Sequence, residues 1–140
     1  MRTPIALTLL LAAAFPLSAP ADTTATPTTS AKPLRGQECL NPVMARSFVF
    51  VDDQHVLVDA GQRKYRIEVS RSCTALSYTN QLAFRGDPAT NQVCGSIGDA
   101  IITRDYPCKI NRIELLSSAE HKQAVQDAEA ERKSNRRMVK

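Results

Sequence analysis

The sequence predicts a small, mainly β domain, a disulfide-stapled antiparallel meander or barrel-like sheet of about six short strands, followed by a C-terminal helix. Three observations carry that expectation. Apolar and polar residues alternate in short runs. Gly, Asp and Pro interrupt the runs at hairpin spacing, and four cysteines follow an N-terminus of export type.

At the N-terminus, Arg2 supplies a short positive region and Ile5 to Phe15 a compact apolar run. The run has signal-peptide length and is too short to span a bilayer. Ala19-Pro20-Ala21 is the best small-residue cleavage match, because cutting after Ala19 would leave a proline just past the scissile bond. Residues 1–21 are therefore expected to be a Sec-type signal peptide cleaved after Ala21, and the product to be periplasmic or secreted. The first cysteine, Cys39, lies well beyond the apolar run, which argues against a lipoprotein anchor. Residues 22–36 are rich in Thr, Pro and Ala, with Leu34 their only large apolar residue, and are expected to be a disordered linker.

Residues 37–118 are expected to form the single domain that this length permits. Ser47 to Val51 and His55 to Ala60 flank an Asp52-Asp53-Gln54 turn and read as a hairpin. Lys64 to Val69 alternates, with Tyr65, Ile67 and Val69 on one face and Lys64, Arg66 and Glu68 on a wet face of mixed sign. Gln81 to Arg85, Ala100 to Thr103 and Lys109 to Leu116 supply three more strands, and Thr74 to Tyr78 a helical turn. Tyr65, Tyr78, Phe84 and Tyr106 are expected in the core. Residues 119–140 form a basic helical or disordered tail. Its helix is signalled by a capping box at Ser117 to Glu120, but its apolar stripe of Ala124, Val125 and Ala128 is thin, so the helix is expected to fray or dock loosely.

Nine basic and nine acidic residues make the domain neutral, so the net charge of +4 lies outside it, and the last nine residues of the tail hold five positive charges and no negative ones. This argues against a nucleic-acid-binding fold; the tail reads first as a solubilising disordered extension, with contact to an anionic surface or an envelope protein as the alternative.

Cys39, Cys73, Cys94 and Cys108 contain no C-x-x-C pair, and His55 is the only histidine within the domain, a poor set for zinc. Structural disulfides are expected instead. The sequence leaves three connectivities open; the preferred one is Cys39–Cys108 with Cys73–Cys94, each contributing about 3 to 4.5 kcal/mol in the chain-entropy picture.

The stretch from Val93 to Cys108 reads as a stapled hairpin, with Gly95 and Gly98 permitting a tight turn and Asp99 hydrogen-bonding its backbone. Ser96 does not sit in a G-x-S-x-G elbow, and the stretch lacks the glycines and helix N-terminus of a phosphate loop. His55 with Asp52 or Asp53 is a candidate acid/base pair, but a histidine opening a strand after a turn is more commonly solvated. No catalytic, cofactor-binding or metal residue is assigned.

Cys39 leading into a strand, the Asp52-Asp53 turn, Tyr65 to Val69 placed three residues before Cys73-x-x-Leu76, the run from Cys94 to Ile101, and Cys108-x-Ile110-x-x-Ile113 together resemble a family of small exported bacterial proteins catalogued as a domain of unknown function, the 6491 family. The resemblance spans about residues 38–116. It implies a signal peptide, a compact cysteine-bearing domain and no assigned activity, so it supplies no functional residues. The Thr/Pro linker and basic extension depart from it. The expected function is a non-enzymatic periplasmic or secreted binding or accessory module without a cofactor. The alternative is a small secreted hydrolase or enzyme inhibitor.

Overall fold

The first hairpin forms from two apolar runs that flank a turn. Ser47–Phe50 (β1) pairs antiparallel with His55–Ala60 (β2), and Asp52 holds the turn by accepting from the N–H groups of Gln54 at 2.7 Å and His55 at 2.8 Å. Residues 33–71 and 73–138 are described in this computed structural model; the expected signal peptide and residues 22–32 of the expected linker lie outside them. A second hairpin turn at Gly61, with φ +77°, leads from β2 into Arg63–Val69 (β3). Its left-handed backbone favours glycine, and the Gly61 N–H donates to Asp59 Oδ1 at 2.7 Å.

The remaining strands are Ala83–Arg85 (β4), Ala100–Ile102 (β5) and Pro107–Leu116 (β6). All six pair antiparallel in one curled half-barrel sheet, in the order β1-β2-β3-β6-β5-β4. The sheet is therefore two three-stranded meanders joined along a β3–β6 seam. There Ile67 faces Ile113 and Tyr65 faces Leu115, with a register shift at Glu68/Val69. A 3-10 turn, Thr74–Tyr78, lies in the crossing between the meanders, as expected. The core fills the concave side with Leu40, Val56, Val58, Tyr65, Ile67 and Ile113 among its members.

Both disulfides differ from the preferred pairing: Cys39 joins Cys94, and Cys73 joins Cys108. The seam explains the second. Val69 faces Ile110, so a cysteine four residues past β3's end and one at the start of β6 arrive at the same end of the strand pair. The first follows from a short bridge in which Leu40 and Val93 exchange backbone hydrogen bonds of 2.9 Å, drawing the segment before β1 onto the loop before β5. Tyr65 adds a third tie to that segment, its buried hydroxyl donating to the carbonyls of Glu38 and Cys39.

Two aromatic expectations fail. Tyr65 is buried and Phe84 packs partly against the core, but Tyr78 is 87% exposed and Tyr106 44% exposed. Tyr78 ends the 3-10 turn, which buries Ala75 and Leu76 and leaves the tyrosine ring outside.

The helix Ser118–Met138 (α1) does more than fray. Its capping box is formed, with the Ser117 N–H donating to Glu120 Oε2 at 2.7 Å and the Glu120 N–H to Ser117 Oγ at 3.2 Å. The helix lies across β2, β3 and β6, with Ala128 buried and His121, Ala124 and Val125 half-buried. Its small residues allow a close approach, and Leu57 is fully buried on the convex side, outside the main core cluster. The Lys64, Arg66, Glu68 face is consequently half-buried and not a simple wet surface.

His121 reports that docking. Its Nε2 is buried without a hydrogen-bond partner among the described residues, and burial pushes the imidazole below its ordinary value, with Asp59 raising it and Lys64 lowering it. The folded pKa lies below the unfolded one, so the unfolded chain binds the proton more readily and stability is lost as pH falls below the ordinary value of 6.5. In urea unfolding between about pH 7 and pH 5, His121→Gln should flatten this loss relative to the parent chain. An unchanged pH slope would show that His121 is not its source. Replacing Cys39 and Cys94 by alanine opens a link of sequence separation 55 and should lower unfolding stability by about 4 kcal/mol, read from the same experiment without reductant.

Candidate functional site

Three regions carry the residues singled out by sequence. In the loop from Cys94 to Asp99, the carboxylate of Asp99 is buried at 3% exposure. Its Oδ2 accepts from three successive backbone N–H groups, Cys94 and Gly95 at 2.9 Å and Ser96 at 3.0 Å. The loop resembles an anion nest turned inward, since the donors that would hold a foreign anion hold the chain's own carboxylate. Gly95 is required twice: its φ is +81°, and a Cβ there would approach Ile113 Cγ2 to 2.9 Å. Ser96 is exposed, and the strand that follows is β5. This region therefore builds structure; the hairpin within the stretch is formed by β5 and β6 and turns at 103–106, after the Gly95 to Gly98 loop, and Cys94 and Cys108 each bond to a cysteine outside it.

The second region is a cleft of about 800 Å³ between α1 and the sheet. Its sheet wall carries Arg66, Arg112 and Glu114, and its helix wall Glu120, Asp127 and Glu131. Arg112 contacts Glu68 at 3.1 Å and Glu114 at 3.4 Å, while Arg66 lies 3.9 Å from Glu114. Asn111 donates to the other Glu68 oxygen at 2.8 Å. The sequence reading identified Arg66 and Glu68 but missed Arg112 and Glu114 as their partners, because that pairing depends on the β3–β6 register.

His55 stands at the edge of this cleft, its Nδ1 2.9 Å from both Asp52 oxygens. Burial works against ionisation of Asp52, but the Gln54 N–H and the His55 contacts outweigh it and hold the carboxyl below its ordinary value. Asp52 thus fixes the turn and orients the ring together. The arrangement supplies a base and its orienting carboxylate. Among the described residues lining the cleft, none is Ser, Thr or Cys to act as a nucleophile. The carbonyl of Asp53 accepts from the Cys73 N–H at 2.6 Å. No group of three His, Cys, Asp or Glu among the described residues is placed to hold a metal ion.

The third region was not visible in sequence. The curl of the sheet brings its edge strands β1 and β4 to opposite sides of a slot of about 290 Å³. Ala45 to Phe48 and Val58 form one wall, and Asn80, Gln81, Leu82 and Phe84 the other. No local signal could have found it, because it exists only through the order of strands across the seam.

The Asp99 nest is testable. Asp99→Ala would leave three backbone donors unpaired and should cost about 3 kcal/mol of unfolding stability, while Asp99→Asn, which keeps an acceptor oxygen, should cost clearly less. Equal losses in urea unfolding would mean the hydrogen bonds are not the source.

No curated protein and no solved structure matches the chain. Two disulfides staple the domain, and among the described residues no helix is long and apolar enough to cross a membrane. A match extending over residues 2–132 covers the signal-like segment, the curled sheet and most of α1, and on that match the chain belongs to a family of unknown function, DUF6491.

Proposed function

We propose that the chain is an exported, non-enzymatic binding or accessory module. Residues 1–21 act as a signal peptide, 22–36 as a linker, 37–118 as the disulfide domain and 119–140 as a basic helical extension. Two disulfides support an oxidising compartment, where such bonds form and persist. The observation that carries a binding role is how the polar groups are used. Asp99 serves its own loop, and Asp52 serves its own turn, whereas the sheet leaves a slot of mixed polar and apolar lining between two edges. Arg132, Lys133, Arg136 and Arg137 are exposed on the last turns of α1 and would add attraction to an anionic envelope surface.

The Asp52–His55 pair favours a second reading, a small hydrolase in which His55 activates water at the cleft edge. The two readings separate on turnover. With ester and phosphodiester substrates the binding module should give no rate above background; turnover abolished by His55→Ala would establish the hydrolase instead.

Export has its own check. N-terminal sequencing of the full chain recovered from the periplasm or medium of a bacterial host should begin at Asp22, and recovery with Met1 retained would overturn the signal-peptide assignment. Sedimentation with phosphatidylglycerol vesicles should fall sharply from low to physiological salt and be reduced by neutralising Arg136 and Arg137 with glutamine. Salt-independent sedimentation would remove the electrostatic role of the extension.

A further inference from the structure

We propose that α1 is a pH-released latch: protonation of His121 lifts the helix off β2, β3 and β6, opens the cleft beneath it and uncovers the convex face of the sheet around Leu57. The latch is independent of whether the chain is a binding module or a hydrolase.

The small grip of the helix on the sheet is the first argument. Of the side chains it turns toward the strands, Ala128 is buried and His121, Ala124 and Val125 are half-buried. An alanine methyl group gains far less from burial than a leucine or phenylalanine side chain. A cleft of about 800 Å³ remains between the two layers, lined by Leu57 from the sheet and by Ala124 and Ala128 from the helix. The helix can also move as a unit. Ser117 alone joins β6 to α1, and the capping box of Ser117 and Glu120 belongs to the helix, so it survives undocking.

His121 supplies the second. Among the described residues, its Nε2 is the one buried side-chain nitrogen or oxygen without a hydrogen-bond partner. Protonation puts a hydrogen and part of a positive charge on that atom whichever tautomer precedes it. A buried charge without a partner is far costlier than a buried neutral nitrogen.

The carboxylates on the elements around it are already engaged. On β2, Asp59 Oδ1 takes Lys64 Nζ of β3 at 2.6 Å and the Gly61 N–H at 2.7 Å. On β6, Glu114 is contacted by Arg112 at 3.4 Å and by Arg66 of β3 at 3.9 Å. On α1 itself, Glu120 accepts from the Ser117 N–H, and the neighbouring Lys122 is basic. Burial opposes the charged imidazole most, while Asp59 favours it and Lys64 opposes it. Leaving the sheet lets water solvate the imidazolium, so protons favour the undocked helix.

Composition selects the pH range. The chain has two histidines, and side-chain carboxylates ordinarily ionise well below pH 5.5. His55 has the Asp52 carboxylate 2.9 Å from Nδ1 to receive its charge, so its protonation strengthens an existing contact. Protonation of His121 instead works against the contact that buries it.

The test measures amide protection factors, exchange rates corrected for their intrinsic pH dependence, on the full mature chain at about pH 7.5 and pH 5.5. Protection along α1 should fall by up to about tenfold, the limit for a group of ordinary value 6.5 that does not protonate when docked, while β3 and β6 keep theirs. His121→Gln and His121→Leu do not titrate, so their α1 protection should be the same at both pH values. The leucine variant fills the site with an apolar side chain and should hold the helix down even if the glutamine variant does not. His55→Gln should retain the fall of the parent chain. Equal falls in α1, β3 and β6 would mean that the whole domain loosens, and would overturn the latch. So would a fall that persists in His121→Leu, a fall abolished by His55→Gln, or α1 protection that does not change with pH in the parent chain.

Discussion

The pairing of β3 with β6 is the constraint on which the rest of the structure depends. It joins two meanders that would otherwise be separate three-stranded ribbons, and it places Ile67 against Ile113 at the centre of the core. The Cys73–Cys108 bond closes one end of that seam. The ion pairs of Arg66 and Arg112 with Glu114 lie along its convex side, beneath α1. Even the Asp99 nest leans on it, since Gly95 packs directly against Ile113.

Polar groups in this domain mostly serve the chain itself. Asp99 organises three backbone donors, Asp52 closes a hairpin, and Tyr65 fastens the segment around Cys39. In a domain with no tryptophan, such ties reinforce a thin core in the way the disulfides do. The strand order also leaves β1 and β4 at the edges of the sheet, without a further strand partner among the described residues.

Much of this was legible in the sequence wherever the signal was local. Period-two alternation located β2 and β3, the Asp52 turn and the Ser117 to Glu120 capping box formed as read, and Gly95, Gly98 and Asp99 make the expected tight loop. What failed was long-range. The cysteine pairing requires knowing that β6 lies beside β3, which no spacing encodes. Tyr78 has the composition of a core residue but sits on a turn that buries its neighbours. The stripe on α1 looked thin because His121 was left out of it, yet His121 packs with Ala124, Val125 and Ala128 against the sheet. The slot is a property of closure, set by how far the two edges stop short of meeting.

The crossing between the meanders has a kinetic meaning. The chain must bring β6 back to β3 across an intervening segment that contains β4 and β5, so the seam is a non-local contact whose loop-closure entropy is incurred before its packing is gained. The Cys73–Cys108 bond, with a sequence separation of 35, spans nearly the same loop. Once oxidised, it keeps the two halves of the seam close together in the unfolded chain, so thiol chemistry sets the pace at which the sheet assembles as well as how firmly it holds.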